Sequence, residues 1–293
     1  MYQYKACNLS IQSELLFPEL EITTDQPDVS IRIIDTDSLA SIKCDRGNSF
    51  VGTVDNVGTF VVREGKEILV VPIFNVDLSF LRTIIMGPII CILLRQRGFL
   101  VLHASSFAAN GEAVAFMGDS GWGKSTLVEL FHSKGYKILT DDVMIIENHQ
   151  SRSLVMPGFA QIKLWPDAAA ASGHNYNSLS TVHSQTIKLR HSIDRGFANR
   201  PLPLKKIYLL SFGNNNQVLT LKPQEAFAHL VKHTRAINLL NEPQFISSHF
   251  HQCSSLIENV SICRLQRKHS LAEISKVIDL IEKDLATPVG IEK

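Results

Sequence analysis

The stretch Gly118-Asp119-Ser120-Gly121-Trp122-Gly123-Lys124-Ser125 constrains this chain more than any other feature, because it fits G-x-x-x-x-G-K-[ST] without a mismatch. That pattern works only between a buried strand and a helix. Its backbone N–H groups must turn inward around phosphate oxygens, and the helix N-terminus adds partial positive charge. Both neighbours are legible: the apolar run 113–117 precedes the loop and a helical pattern over 124–133 follows it. In such a loop Lys124 reaches the β- and γ-phosphates, and the Ser125 hydroxyl is placed to ligate Mg²⁺. The expected nucleotide-binding set is therefore Gly118, Asp119, Ser120, Gly121, Trp122, Gly123, Lys124, Ser125 and Thr126. Trp122 is an uncommon filler, expected as an exposed turn residue ahead of a nucleotide contact.

A phosphate loop needs an α/β unit around it, and the chain offers one with an appendage. Its 293 residues are twice the usual ~150 per domain, so two packed units or one large domain with a module are expected. Residues 1–76 read as a β-rich module, with strands at 29–35, 48–56, 59–65 and 66–74 and a turn at Glu64-Gly65. No chemistry-bearing cluster appears there. Residues 77–293 read as the phosphate-loop domain, with a core over 99–240 and a terminal helix at 271–286. Asp77 is the expected N-cap of a buried helix ending before Gly98. Strands are expected at 99–104, 113–117, 136–146, 206–212 and 217–221, with an Asn110-Gly111 hairpin turn. Helices are expected at 223–240 and 271–286, the latter opened by a Ser270/Glu273 capping box, and 168–185 reads as a polar, mobile loop.

Composition removes several classes. Apolar residues at 45% and charged residues at 19% exclude a disordered chain, a collagen-like fibre and a coiled-coil rod. With 29 basic and 28 acidic residues, the net charge of +1 gives no long-range pull toward nucleic acid or an anionic membrane, and neither is an expected partner. The cysteines Cys7, Cys44, Cys91, Cys253 and Cys263 are scattered, with no CxxC, as expected for free thiols in a reducing compartment. The run Ile84–Leu94 is interrupted by Gly87-Pro88 and falls short of the ~20 residues of a membrane span. With no signal peptide visible, the expected location is cytoplasmic.

The second chemical feature is Thr140-Asp141-Asp142. Adjacent acids at the end of a buried strand are costly unless a metal, a lysine or hydrogen-bond donors compensate them. Lys124 and a nucleotide-bound Mg²⁺ are the natural partners, and one aspartate could accept the proton of an attacking hydroxyl. Asp141 is the expected base, with Asp142 and His103 tuning that base or the metal. The reverse stays open, because adjacent strand residues point to opposite faces. The basic run Lys188, Arg190, His191, Arg195 and Arg200 reads equally as an anion site or a solvated face. An ABC-transporter ATPase is excluded, since neither an LSGGQ-like segment nor a later apolar strand ending in Asp-Glu is present. No histidine spacing suggests a protein-bound zinc.

Three blocks together carry a family likeness: Leu102-His103-Ala104-Ser105, the loop Gly118 to Ser125, and Gly135-Tyr136-Lys137-Ile138-Leu139-Thr140-Asp141-Asp142. They resemble the catalytic core of HPr kinase/phosphorylase, which shares its P-loop core with phosphoenolpyruvate carboxykinase. The resemblance implies an α/β fold of that kind, ATP and Mg²⁺ as cofactors, and a phosphotransfer site of His103, Lys124, Ser125 and the Asp141-Asp142 pair. Softer motifs over 60–240 are similar to HPr-kinase-related proteins of peptide-modifying machinery, including the kinases of lasso-peptide pathways. These are Leu94-Arg95-Gln96-Arg97-Gly98, Lys163-Leu164-Trp165-Pro166-Asp167, Pro201-Leu202-Pro203-Leu204 and His233-Thr234-Arg235. Lys163, Lys188, Arg190 and Arg235 enter as candidate phosphate or substrate contacts. The glutamate- and glycine-rich stretch used for phosphorylase chemistry has no counterpart; Met156-Pro157-Gly158-Phe159 stands there instead. The implied activity is transfer of the γ-phosphate of ATP to a Ser hydroxyl of a peptide or small protein, a lasso-precursor-like peptide before HPr, by a chain compatible with a homo-oligomer. A small-molecule hydroxyl kinase and a non-catalytic nucleotide sensor are the alternatives.

Overall fold

The computed structural model describes residues 1–42, 48–173 and 179–287. Cys44 and residues 174–178 of the expected polar loop lie outside the described residues. The described cysteines Cys7, Cys91, Cys253 and Cys263 are free and buried.

The N-terminal residues build a seven-stranded sheet in the order Glu21–Ile22, Tyr2–Ala6, Leu9–Ser13, Val29–Ile33, Glu67–Pro72, Gly58–Arg63, Ser49–Val54. The two hairpins are antiparallel, and Val29–Ile33 joins them by parallel pairing on both sides. The hairpin turns Cys7-Asn8 (φ 56° and 57°) and Glu64-Gly65 (φ 54° and 63°) are left-handed at both central residues. Two-residue hairpins need this backbone to match the strand twist. The first three strands were not legible in sequence, because Cys7-Asn8 is a weak turn signal.

The helix capped by Asp77 runs Leu78–Ile84, widens to a π turn over Ile85–Ile89, and continues as Ile90–Gln96. Pro88 lies in the π turn, where the missing N–H and the ring clash of a proline are absorbed. Asp77 accepts hydrogen bonds from Ser79 N (2.8 Å) and Phe80 N (3.2 Å). At 19 residues this helix is long and apolar enough, by length and composition, to cross a membrane. It exceeds the eleven-residue run that the sequence suggested, because its flanking turns are less apolar. Within this fold Ile90–Leu94 are fully buried. They share one cluster with Tyr4, Ile11 and Phe60 of the first sheet and with Val101 and Ile145 of the second.

The second sheet has nine strands. Its path is Lys137–Thr140, Ala104–Ala109, Glu112–Met117, Leu202–Phe212, Arg152–Met156, Met144–His149, Leu100–Leu102. Leu202–Phe212 is its hub, parallel both to Glu112–Met117 and to Ser261–Arg267, which carries Gln217–Thr220 on its far side. The period-two pattern of Glu112–Met117 feeds two layers. Ala113, Ala115 and Met117 pack on the helices Pro223–His233 and Pro243–Asn259, through Leu230 and Leu256. Val114 and Phe116 pack on Lys124–Ser133 and Ile274–Ala286, through Phe131 and Ile281. A small sheet of Gln161–Leu164, Leu189–Ser192 and Ser180–Thr181 completes a mixed α/β architecture.

Several expected elements are corrected. The strands at 99–104 and 136–146 are each broken in two, as described below. The helix expected over 223–240 ends at His233, where Ala236 turns left-handed (φ 54°). Part of the expected loop is the helix Pro166–Ala171. Glu273 is not part of a capping box: the helix begins at Ile274, and the Glu273 carboxylate meets Lys276 (3.4 Å) and Lys268 (3.5 Å). The helix Pro243–Asn259 and the strand Ser261–Arg267 were not predicted.

Candidate active site

Two backbone interruptions build the site. The strand leading to His103 pairs with Met144–His149 (Leu102↔Met144), whereas Ala104–Ala109 pairs with Lys137–Thr140 (Ser106↔Thr140). Both chains thus change partners at the same level, which brings His103 against the Asp pair. At the second break Asp142 adopts φ 71°, a left-handed conformation that aspartate tolerates better than most residues. Because the strand stops at Thr140, the two acids do not alternate between faces. Both line one cleft with His103, Lys124 and Ser125.

Asp141 is 5% exposed and its carboxylate accepts three hydrogen bonds. Oδ1 accepts from Ser125 Oγ (2.7 Å) and Ser105 Oγ (2.5 Å), and Oδ2 from Lys163 N (2.9 Å). Asp142 faces cations instead. His103 Nε2 lies 3.1 Å from Oδ1 and Lys163 Nζ 3.4 Å from Oδ2, while the Arg235 guanidinium binds both its carboxylate and its carbonyl. Burial pushes the Asp142 carboxyl up, but the hydrogen bond with His103 and the charges of Lys163 and Arg235 outweigh it and hold it well below the usual range. Burial lowers the His103 pKa, opposed by its hydrogen bond to Asp142. Near neutral pH the imidazole is therefore uncharged, and Nε2–H donates to Asp142.

The loop closes the other wall. Gly123 caps the helix Lys124–Ser133 at φ 82° with no side-chain acceptor on the first N–H groups, leaving them for an incoming anion. Glycine is needed here for its left-handed backbone, and a Cβ would also lie 2.8 Å from Arg267 Nη2, the movable end of that side chain. Lys124 is 6% exposed, and its Nζ donates to the carbonyls of Gly118 (2.8 Å) and Asp119 (3.1 Å). Burial lowers its pKa to about 8, against the pull of Asp141 and Asp142. The Asp119 carboxyl is lowered chiefly by its hydrogen bond from Lys232, at 2.9 Å. Trp122 is not the exposed turn residue expected. It is half-buried on Phe212, with ring centroids 5.5 Å apart, and Arg267 Nη2 binds its carbonyl.

Most expected site residues meet. Ser120, Gly121, Gly123, Thr126, Lys163 and Lys188 join the cleft, Gly118 holds Lys124, and Arg235 reaches it through Asp142. Arg190 does not: it donates to the Val182 carbonyl at 2.9 Å. His191 binds the buried Glu129 at 2.9 Å, so the basic run is not one anion-binding face. Sequence reasoning missed Ser105, Lys232 and Arg267. Only Ser105 left a signal, a hydroxyl two residues after His103 within the block that carries the family likeness.

The donors fit a nucleotide carrying its own cation. Among the described residues no three His, Cys, Asp or Glu side chains cluster to hold a metal by themselves. A cation at Ser125 and Asp141 would therefore complete its shell with phosphate oxygens and water.

No protein-family profile matches the sequence, and no curated protein matches it. Among solved structures, the chain is similar to the Hpr(Ser) kinase/phosphatase from Coxiella burnetii, at 12% identity and a TM-score of 0.34, over 64% of this chain and 99% of that one. A likeness of this size carries no functional argument, which must come from the site itself.

Proposed function

We propose that this protein is an ATP- and Mg²⁺-dependent phosphotransferase whose acceptor is a serine hydroxyl of a peptide or small protein. One observation carries the reading: a phosphate loop whose Ser125 is hydrogen-bonded to one aspartate, with a second, histidine-bonded aspartate lining the same cleft. The amides of the loop and Lys124 hold the phosphates. Ser125 and Asp141 would hold the divalent cation, which when bound neutralises charge on the transferred group.

The division of labour is the reverse of the one first expected from sequence. Asp141 is hydrogen-bonded to Ser125, the loop hydroxyl placed for Mg²⁺, and its three donors leave one acceptor position on the carboxylate, so it suits the metal side. Asp142 is ionised and held in place by His103, Lys163 and Arg235, so it suits the acceptor. In the transfer the acceptor oxygen bonds to the γ-phosphorus and its proton passes to Asp142. The bond from the γ-phosphorus to the β,γ-bridging oxygen breaks, and ADP leaves. A carboxylate of low basicity suffices, because a loose transition state asks for positioning and charge neutralisation more than for a strong base.

The segment Met156-Pro157-Gly158-Phe159 supports transfer in the forward direction only. Met156 and Phe159 are buried in the core, and a Cβ at Gly158 would lie 2.3 Å from Thr140 Oγ1. These residues pack against Leu139 and Thr140, just before the Asp pair, and offer no acid for a reverse reaction. Incubation with γ-labelled ATP, Mg²⁺ and serine-bearing peptides tests the reading, with the product mapped by mass spectrometry. Label on a peptide serine is expected. Nucleotide binding without transfer would make the protein a sensor, and transfer only to free hydroxyl metabolites would make it a small-molecule kinase.

A further inference from the structure

Across the loop from the Asp pair lies a second cleft, open to solvent. It is continuous with the first, because Gly121, Gly123, Thr126 and Trp165 line both. Nothing in the phosphotransfer chemistry uses it. Its far wall comes from the C-terminal part of the chain, from Arg267 and His269 at the end of the strand Ser261–Arg267 and Ile274 at the start of the last helix.

We infer that this second cleft is the nucleoside subsite, receiving the base and ribose of the nucleotide whose phosphates occupy the loop. The inference rests on the nucleotide reading above and specifies where the rest of that ligand sits. Thr126 follows Ser125 at the helix N-terminus and lines both clefts. Arg267 is the second observation. It is 6% exposed, lies against Gly123, binds the Trp122 carbonyl, and has a buried Nε with no partner among the described residues. Its terminal nitrogens hold the carbonyls of Trp122 and Lys268 and each keeps a second N–H, so a buried guanidinium beside a phosphate loop fits the trailing phosphate or a base acceptor. The opposite wall supplies complementary parts. Trp165 is 41% exposed, with Lys188 Nζ 5.1 Å from its ring centroid. Asp167 is exposed at the rim, with one oxygen on Ala168 N and the other free to accept ribose hydroxyls. Ile274 gives an apolar surface for a base.

The test compares Mg²⁺–ATP with Mg²⁺–tripolyphosphate, which has the phosphates and lacks the nucleoside, by calorimetry on the full chain. Wild type should bind ATP more tightly. Asp167→Ala, an exposed position that leaves folding intact, should weaken ATP roughly tenfold, the scale of one lost charged hydrogen bond, and leave tripolyphosphate unchanged. Ile274→Ala should also weaken ATP alone, by removing the apolar surface. If both variants bind ATP as wild type does, the subsite is wrong while the phosphate loop stands. If wild type binds neither ligand, the nucleotide reading falls and the subsite with it.

Discussion

The two sheets of this molecule bury very different things. In the first, residues 2–72, the described polar residues that are buried as a whole are Ser10 and Ser13, and the most buried charged side chain is Glu19, 8% exposed and paired with Arg82. Its left-handed non-glycine residues, Cys7, Asn8, Asn56 and Glu64, all sit in turns outside the strands. In the second region Lys124, Glu129, Asp141, Lys206 and Arg267 are all buried, and Asp142 turns left-handed where one strand gives way to the next. Burying charge is costly unless it is paired, and strain persists only where surroundings enforce it. The contrast separates a sheet optimised for stability from one that gives up stability to place charges.

That contrast can be broken in order of effect size. Asp142→Asn should keep the fold and the nucleotide affinity, yet slow single-turnover phosphate transfer by roughly 10²–10⁴-fold, as removal of a proton acceptor does. Asp141→Asn should instead raise the Mg²⁺ needed for binding. A normal transfer rate in Asp142→Asn would make that residue structural. In the first sheet, Phe60→Ala empties a fully buried site and should cost about 3–5 kcal/mol in urea unfolding, with transfer by the folded fraction unchanged. Loss of activity beyond the unfolded fraction would show that this sheet shapes the site.

Smaller effects test the charges. Lys124 titrates at about 8 because it is buried, so affinity for nucleotide should fall as pH rises through that value and the ammonium is lost. An affinity flat from pH 7 to pH 9.5, read by calorimetry, would mean that Lys124 does not meet the phosphates. On the first sheet, Arg63→Gln removes a half-exposed ion pair with Glu67 and should change stability by only about 0–1 kcal/mol. A larger loss would mean that charge matters in that sheet after all.

How far the sequence foretold this molecule depends on where each instruction lies. The loop 118–125 was legible because its defining positions answer to local requirements: a left-handed backbone at Gly123, charge at Lys124, a hydroxyl at Ser125. The last four strands of the first sheet were legible from their apolar runs and the Glu64-Gly65 turn. The breaks at His103 and Asp142 were not, since each is decided by which distant strand pairs on either side. The helix Pro243–Asn259 buries only His249, Cys253 and Leu256, a stripe at helical spacing too thin to stand out in a polar segment. Arg267 was hidden because its partner is a backbone carbonyl 145 residues away, a contact that leaves no mark in composition.

The central claim is that the second sheet places its buried charges to hold nucleotide phosphates. Calorimetric titration of Mg²⁺–ATP into wild type, Lys124→Ala and Ser125→Ala tests it most directly. The account predicts saturable binding in wild type, the largest loss in Lys124→Ala, and a loss in Ser125→Ala that disappears when Mg²⁺ is omitted. Equal affinity in all three proteins would contradict it.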